Sequence, residues 1–471
     1  WQPGLTAMAA LEAGAMANPD EGRQVGHYWL RTPTLAPSHS QQAAIKDAWQ
    51  RVARLDRGAH TDVLLIGIGG SALGPQMLAQ ALAEPEDEAR LHFLDNTDPD
   101  GFSRVLRGLD PTRTLALVAS KSGGTIETRN GWLAAEAWYA DAGEVLADHA
   151  IAITGSGSVL DTEAQTWRAR LPVWDWVGGR SSITGPVGIA PMALCGWDWR
   201  GLLEGAAAMD ALTRGPYETN PAARLASTWF SAGNGHGDRA LVIEPYRDRL
   251  SLLGKYLQQL IMESLGKRFD RAGRQVNQGL TVYGNKGSTD QHAFIQQTRD
   301  GRDDGLVHFV ETTAHGPTAP GVGGHDASDH LIGFMMGTRA ALTEASRPSV
   351  TIRVPDASAR SLGMLIALFE RAVGLYAERI DINAYHQPGV EAGKKGAADA
   401  LLVLSALQDA LTAEPARASA LAAQAQCSPA LAWRLLSHLA ATRRARRDPG
   451  PRPREDRFSK LVPPRAEPHV Q

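Results

Sequence analysis

The stretch VASKSGGTIET, residues 118–128, joins a predicted strand to a predicted helix. The apolar run at 115–119 predicts a buried strand, and the segment that continues towards Ala135 predicts a helix. The turn between them is short, contains glycine and is rich in hydroxyl groups. Backbone N–H groups and the positive end of the helix dipole converge at such a junction.

Four side chains of this turn add to the attraction for an anion. Ser120, Ser122 and Thr125 supply hydroxyl donors, and Lys121 supplies a cation. Together with the backbone N–H groups they predict a phosphate site. Glycine- and serine-rich turns are also common without any ligand, so the stretch alone leaves a plain turn open as the alternative.

The flanking sequence repeats the strand–helix pattern. Apolar runs at 63–66, 91–94 and 150–154 predict further strands, separated by helical segments. Strands that alternate with helices at this spacing predict an α/β fold with a doubly wound parallel sheet. The alternation restarts after about residue 205, where strands are predicted at 239–245, 306–311 and 349–354 and long helices at 249–265 and 358–377.

Two tandem α/β units are therefore the simplest organisation. We expect a helical N-terminal arm over 1–55, α/β domains over 56–205 and 206–400, and a helical segment over 401–442. Residues 443–471 contain nine Lys or Arg, four Asp or Glu and many prolines, which predicts a flexible tail. Nucleic-acid binding by this basic tail is the alternative interpretation, and residues 428–442 also fit a helix-turn-helix.

Composition excludes several classes of protein. The 471 residues carry a formal net charge of −3, so neither nucleic acid nor an anionic membrane is expected as a partner. The two cysteines predict neither a disulfide framework nor a cysteine-based metal site. No apolar run is long enough to span a membrane, and residues 1–14 lack the features of a secretory leader. A cytoplasmic protein is expected.

The first glycine loop, residues 67–75, follows the predicted strand at 63–66. Gly67, Gly69 and Ala72 match G-x-G-x-x-G/A, and Asp95 ends the next strand, as in dinucleotide-binding folds. An NAD-dependent dehydrogenase is therefore an alternative hypothesis. The Gly70–Ser71 pair suits a small ligand at least as well. Because the carboxyl ends of parallel strands converge, one small phosphorylated ligand held by both loops is the simpler interpretation.

Later segments contain four candidates that have plainer interpretations when each is taken alone. Arg180 follows two glycines and either lies in solvent or stabilises negative charge that develops on oxygen. Gln259 and Glu263 share one polar helix face, where Glu263 could equally form an exposed pair with Lys267. His292 lies near a predicted helix start, where histidines are usually structural.

Two other segments do not predict a functional site when each is taken alone. The run 325–330, HDASDH, contains histidines and carboxylates, but Asp326 and Ser328 are better interpreted as N-cap candidates, and we predict no metal there. The segment 387–395, QPGVEAGKK, places lysines after a glycine turn, which is common on surfaces.

Taken together and in order, these segments resemble the bacterial type of the glucose-6-phosphate isomerase family. The resemblance extends from about residue 26 to residue 394 and is carried by GIGGS (67–71), SKSGGTIE (120–127), GGRSS (178–182), QLIMESLGK (259–267), QHAF (291–294) and QPGVEAGK (387–394). It implies two sugar-isomerase (SIS) domains with helical extensions. It also implies isomerisation of glucose 6-phosphate and fructose 6-phosphate in glycolysis and gluconeogenesis, without cofactor or metal.

The resemblance also implies roles for individual residues. Glu263 matches the catalytic base, Arg180 the residue that stabilises the enediolate, and His292 and Lys394 the residues that assist ring opening. The histidine comes from the neighbouring subunit in this family, which implies a homodimer. Substrate-binding positions are matched by Gly70, Ser71, Ser120, Lys121, Ser122, Thr125, Glu127, Gln259 and Gln387.

The residue types agree with this chemistry. A carboxylate can remove a carbon-bound proton and return it one carbon over, because its protonated form is the acid for the second half. Two departures stand out: Ser181 replaces an aromatic residue of the family pattern, and the basic tail has no counterpart. A sugar-phosphate-binding protein of the same fold without catalysis remains an alternative beside the dehydrogenase.

Overall fold

The computed structural model describes residues 1–314 and 316–461, apart from the side chains of Val390, Glu391, Ala392 and Lys394. The chain divides into two compact units, residues 1–386 and residues 387–471. The N-terminal arm contains helices α1 (Gln2–Glu12) and α2 (His39–Ala53), separated by short 3-10 turns. This agrees with the helical pattern predicted for that segment.

The first sheet has five parallel strands in the order β2-β1-β3-β4-β5. The strands are β1 (Asp62–Ile66), β2 (Arg90–Leu94), β3 (Thr114–Ser120), β4 (Ala150–Thr154) and β5 (Ala169–Pro172). The associated helices are α3 (Leu73–Leu82), α4 (Pro99–Leu106), α5 (Ile126–Asp141), α6 (Val159–Glu163) and α7 (Pro186–Leu194). Every residue of β1, β3 and β4 is buried, as continuous apolar runs predict for parallel strands covered on both faces.

The second sheet is also parallel, with the order β11-β10-β6-β9. Its region contains β6 (Ala240–Pro245), β7 (Lys267–Phe269), β8 (Gln275–Gln278), β9 (Val282–Tyr283), β10 (Gly305–Thr312) and β11 (Ser349–Val354). Its helices are α8 (Trp199–Leu212), α9 (Pro221–Ala232), α10 (Leu253–Leu257), α11 (Ile295–Asp300), α12 (Ala327–Glu344) and α13 (Ala359–Arg379). The predicted α/β fold with two doubly wound parallel sheets is confirmed.

One continuous apolar core joins the two sheets. It contains Val63 and Leu65 of the first sheet, Leu241 and Ile243 of the second, and most of α13 between them. Nearly all sides of α13 are buried, and its buried Arg371 is paired with Glu12 and Asp210. The halves predicted as separate domains thus share a core, which explains why residues 1–386 form a single compact unit.

The predicted helix at 249–265 differs in form from the structure. Only α10 is α-helical; it continues as a π-helical segment, Gln258–Glu263, before the chain turns into β7. π-Helical turns are rare and occur mostly at functional sites.

The N-cap predicted for the helix after residue 325 is confirmed for Asp326, which accepts a hydrogen bond from the Ser328 backbone at 2.8 Å. Ser328 itself lies inside α12.

In its described part, up to residue 461, the second unit contains three α-helices and a small antiparallel sheet. These are α14 (Pro388–Ala410), β12 (Ala416–Arg417), α15 (Ala418–Gln424), α16 (Pro429–Ala441), β13 (Arg446–Asp448) and β14 (Arg457–Ser459), with strand order β12-β14-β13. The prediction of a flexible tail from residue 443 is therefore wrong for residues 443–461, where Phe458 is buried in the core of this unit. The tail beyond residue 461 lies outside the described residues. In the described part of the chain, no helix is both long and apolar enough to cross a bilayer.

Candidate active site

The strand order of the first sheet reverses between β1 and β3. The chain proceeds from β1 to β2 on one side and from β3 to β4 and β5 on the other. In open parallel sheets, ligands bind in the crevice at the carboxyl ends of the strands where this reversal occurs. The first glycine loop follows β1 and the hydroxyl loop, residues 120–125, follows β3. Both predicted ligand-binding loops therefore lie at this switch point.

The first glycine loop packs closely against the arginine loop, residues 178–182. A Cβ atom on Gly70 would lie only 2.0 Å from the Gly179 carbonyl oxygen, so the contact requires glycine. Ser182 strengthens the contact by donating its hydroxyl hydrogen to the Gly70 carbonyl at 3.4 Å. Ser71 is half-buried, and a Cβ atom on Gly67 would lie 2.8 Å from its Cβ atom. The two loops thus form one closely packed wall.

The hydroxyl loop ends at the N-terminus of α5. Ser120 Oγ donates to Thr125 Oγ1 at 3.2 Å, and Thr125 is the N-cap residue of the helix. Ser122 is exposed, and its Oγ accepts a hydrogen bond from the Gly124 backbone at 3.2 Å. Gly123 has a φ of +66°, and a Cβ atom there would meet the Leu160 backbone at 2.5 Å. The hydroxyl groups and the helix dipole are therefore arranged to receive an anion.

Lys121 contacts the backbone that leads into the arginine loop. Its Nζ donates to the carbonyl oxygens of Asp175 at 2.9 Å and Val177 at 3.0 Å. Burial lowers the pKa of this ammonium group to about 8. The Lys121 side chain therefore ties two loops of the site together in addition to carrying positive charge.

Arg180 is fixed by its own chain. Its Nε donates to Ser264 Oγ at 2.7 Å, and its Nη2 donates to the carbonyl oxygens of Ala384 and His386. The residue is only 5% exposed, and burial lowers its pKa although the nearby Glu263 carboxylate opposes the shift. An arginine keeps its charge even so. The guanidinium is thus preorganised before any ligand arrives.

Glu263 ends the π-helical segment and faces Arg180. One carboxylate oxygen lies 3.7 Å from Arg180 Nη1, and the Glu263 side chain is 19% exposed. Gln259 lies four residues earlier, with its Nε2 atom 3.1 Å from the position that a Cβ atom on Gly69 would take. The π turn therefore brings Gln259 to the first glycine loop and the predicted base to Arg180.

Lys267 is buried, contrary to the alternative of an exposed Glu263–Lys267 pair. It lies in β7, and its Nζ donates to the carbonyl oxygens of Glu263 at 2.7 Å and Ser264 at 2.8 Å. Burial, reinforced by the charge of Arg180, lowers its pKa to about 7. Lys267 thus caps the π turn that carries Glu263.

His292 lies on the surface of the single chain. It ends the 3-10 turn Asp290–His292 and is exposed, and no hydrogen bond joins its ring to another described residue. Glu127 is half-buried in the first turn of α5. Gln387 is the N-cap residue of α14 and belongs to the second unit, and the side chain of Lys394 lies outside the described residues.

Sequence reasoning missed the residues that support Arg180 and Glu263. Ser264 and Lys267 lie inside a quoted motif, but nothing in the spacing distinguishes a buried lysine from an exposed one. The carbonyl acceptors at 384 and 386 belong to a segment about 200 residues away from Arg180, which only folding brings near.

Comparison with known sequences places this chain in a family. The sequence profile described as "Phosphoglucose isomerase" matches residues 6–312 and 335–415. The chain is 53% identical over 421 residues to the glucose-6-phosphate isomerase of Geobacter sulfurreducens, an alignment that covers 85% of this chain and 79% of the relative. It is 49% identical over 466 residues to that of Synechococcus elongatus, covering 94% and 88%.

Solved structures agree. A glucose-6-phosphate isomerase from Chlamydia trachomatis superposes with a TM-score of 0.79 at 28% identity, covering 85% of this chain and 84% of that one. A hypothetical protein from Thermus thermophilus superposes with a TM-score of 0.71 at 30% identity, covering 84% and 96%. This chain belongs to the phosphoglucose isomerase family.

Proposed function

We propose that this protein isomerises glucose 6-phosphate and fructose 6-phosphate reversibly, the step that links them in glycolysis and gluconeogenesis. The observation that carries the proposal is the pair of Arg180 and Glu263. A carboxylate lies 3.7 Å from a guanidinium whose other nitrogens are held by the chain. The arginine loop that carries this guanidinium packs on the first glycine loop, and Lys121 of the hydroxyl loop donates to the backbone that leads into it. That pair supplies a base and a fixed positive charge for an enediolate.

The phosphate end of the sugar binds at the hydroxyl loop. Ser120, Ser122 and Thr125 donate their hydroxyl hydrogens, and the N-terminus of α5 adds its dipole. Lys121 contributes charge while holding the arginine loop. Gly70, Ser71, Glu127 and Gln259 complete the proposed substrate pocket. Gln387 is proposed as a further substrate-binding residue. Closing this pocket against water protects the reactive intermediate.

The reaction begins with opening of the sugar ring, assisted by His292 and Lys394. Glu263 then removes the proton from C2 of the open-chain aldose, and the electrons move towards the C1 carbonyl oxygen to give a cis-enediol(ate). Arg180 stabilises the negative charge that develops on oxygen. The protonated Glu263 returns the proton to C1, and the remaining hydroxyl proton moves between O1 and O2. No nicotinamide or metal takes part in the proposed steps.

The active form is proposed to be a homodimer located in the cytoplasm. His292 is exposed on the single chain but is held on a well-anchored turn, so it is available to a neighbouring subunit. A cyclic dimer would then complete both sites with the same two contacts.

Turnover of fructose 6-phosphate tests the proposal, with product glucose 6-phosphate oxidised by a coupling dehydrogenase. Wild-type protein is expected to turn over substrate at a rate of about 10 per second or more. Binding of sugar phosphate without turnover would instead favour the non-catalytic alternative. Saturable binding of NAD(P)H in a fluorescence titration would favour the dehydrogenase alternative.

A further inference from the structure

The second unit contains a helix-turn-helix. Helices α15 and α16 are joined by the four residues 425–428, and Gln426 makes the turn with a φ of +52°. Helix-turn-helix motifs join their two helices by a turn of three or four residues. A β-hairpin, β13 and β14, follows α16 and pairs with β12. This order of elements, a helix, a strand, two helices and a hairpin, is that of a winged helix.

The packing of α16 leaves one face of this helix open. Ala432, Leu436 and Leu439 are buried in the core of the unit, against residues of α14 and α15. The opposite face of α16 is exposed to solvent. Its residues follow one another at helical spacings of four, four and three: Ala430, Arg434, His438 and Ala441. Small side chains beside a cation allow close approach to another surface.

Charge separates this module sharply from the rest of the chain. Residues 416–461 contain ten Lys or Arg but only three Asp or Glu, a formal charge of +7. The whole chain contains 48 Lys or Arg and 51 Asp or Glu, so the remaining residues carry −10. The net charge of −3 conceals this asymmetry, so the net charge alone gave no reason to expect a nucleic-acid partner.

Internal contacts use little of this positive charge. The buried Asp456 carboxylate accepts hydrogen bonds from Trp433 at 2.8 Å, Arg447 at 2.9 Å and the Gly450 backbone at 2.9 Å. The other two acids lie beside their neighbours Arg446 and Arg454. In the described part of the chain, no ion pair involves Arg434, Arg443, Arg444, Arg452, Arg457 or Lys460.

The wing loop, residues 449–456 between β13 and β14, carries two of the exposed arginines. Arg452 and Arg454 lie there, while Arg434 lies on the open face of α16. Arg444 follows α16 and contacts His438 at 3.0 Å, which places further positive charge at the end of that helix. Exposed cations therefore lie both along and at the end of α16 and in the wing loop.

We propose that residues 416–461 bind duplex DNA, with α16 in the major groove and the wing loop on the phosphate backbone. The major groove of B-form DNA admits an α-helix, and the second helix of a helix-turn-helix occupies it. The major groove of A-form RNA is too deep and narrow for side chains to reach, so duplex RNA is a poorer partner.

Fluorescence anisotropy with the full-length protein tests the proposal. The probe is a labelled DNA duplex of mixed sequence, about 25 base pairs long, which spans more than two helical turns. Binding should saturate at about 50 mM salt. About four phosphate contacts predict that the affinity falls about 10²-fold between about 50 and about 200 mM salt.

Charge reversal identifies the surface. The triple variant Arg434→Glu, Arg452→Glu and Arg454→Glu should weaken binding at low salt by at least about 30-fold. The matched control reverses three exposed arginines of the first unit, Arg104→Glu, Arg107→Glu and Arg302→Glu, and should bind within about threefold of wild type. Both should retain isomerase turnover and the far-UV circular dichroism spectrum. The single variant Arg452→Gln, in a loop, should weaken binding by about threefold and reduce the salt slope.

Three results would overturn the proposal. The first is the absence of saturable binding by wild-type protein at low salt. The second is equal loss of affinity in the triple variant and its control, which would assign the binding to overall charge. The third is tighter binding of single-stranded DNA or duplex RNA of the same length, which would exclude a helix inserted into the DNA major groove.

Discussion

Two regions of the molecule present candidate catalytic groups in opposite ways. Around Arg180 and Glu263, the groups are largely buried and held by hydrogen bonds that involve Ser264, Lys267 and backbone carbonyls. In the turn that ends at His292, by contrast, the candidate side chain is exposed. Both regions are anchored, but only the first is enclosed by its own chain.

The support beneath His292 is what makes this difference informative. Asp290 is buried and accepts hydrogen bonds from the backbone of Asn285 at 2.7 Å and of Lys286 at 3.2 Å. Gln291 donates to the Phe334 carbonyl at 3.2 Å. A turn anchored on two sides but ending in an exposed imidazole is prepared for a partner surface. The enclosed region works within one chain, and the exposed turn is expected to work across an interface.

The largest expected effect is at the centre of the enclosed region. Glu263→Gln keeps the size of the side chain but removes the base, so kcat should fall about 10³-fold with a small change in KM. Steady-state kinetics with fructose 6-phosphate measures this. Glu204→Gln, an exposed carboxylate on α8, is the control and should leave kcat unchanged. Near-full activity of Glu263→Gln would remove the base assignment.

Mixing two inactive variants tests whether the exposed turn acts across an interface. Glu263→Gln and His292→Ala should each be almost inactive alone. If each site takes Glu263 from one subunit and His292 from the other, mixed dimers contain one intact site in two. After denaturation and joint refolding, about a quarter of the wild-type activity should return, since half of the dimers are mixed. No recovery, with dimers present by light scattering, would place His292 in its own subunit's site.

A substitution at Gly70 should disturb the enclosed region through packing alone. Gly70→Ala places a methyl group against the Gly179 carbonyl, so the first glycine loop and the arginine loop must separate. We expect kcat to fall about tenfold and stability to fall by about 1–3 kcal/mol. Denaturant unfolding and kinetics measure the two effects. Gly316→Ala, where no atom lies within 4 Å of the new Cβ position, is the control. Unchanged kcat in Gly70→Ala would show that the loop contact is not needed for catalysis.

The smallest expected effects are on how the free energy of unfolding changes with pH. This change should have opposite signs in the two regions. Burial lowers the pKa of Lys267 to about 7. Above that pH the unfolded chain therefore binds more protons than the folded chain. The free energy of unfolding should rise with pH between about pH 7 and 10. Burial and the neighbouring Asp290 raise the pKa of Glu244, beneath the His292 turn, to about 8. The folded chain therefore holds more protons, and stability falls as pH rises from about 4.5 to 8.

Conservative variants separate the two contributions. Lys267→Met should remove a positive slope, and Glu244→Gln a negative slope, each of at most about 1.4 kcal/mol per pH unit. Urea unfolding at several pH values measures both. A slope that is unchanged in either variant would show that the corresponding group does not titrate in its window.

How much of the site could be predicted depends on the distance along the chain over which each contact forms. The hydroxyl loop and the N-terminus of α5 are local, so residues 118–128 indicated them directly. The position of Gly70 against Gly179 joins segments more than 100 residues apart, and the sequence indicated only that both were glycine-rich. The π turn was interpreted as ordinary α-helix, because the spacing of Gln259 and Glu263 fits both forms.

The C-terminal unit also shows that packing between distant segments is not visible in the sequence. The composition of residues 443–471 is that of a flexible tail, yet residues 446–448 and 457–459 form strands because Phe458 and the Asp456 hydrogen bonds fix the hairpin on the helices. Composition reports average polarity, whereas a small packed unit needs only a few well-placed apolar residues.

By itself the sequence determined the α/β alternation, the switch-point loops and the residue types of an isomerase site, because these depend on local periodicity and short motifs. Only the tertiary structure decided that Lys267 is buried beneath Glu263, that Arg180 is held by residues 264, 384 and 386, and that His292 remains exposed. The physical reason is that burial and hydrogen-bond partners arise from long-range packing, which fixes the electrostatic environment of each group and is not encoded in the spacing of any one segment.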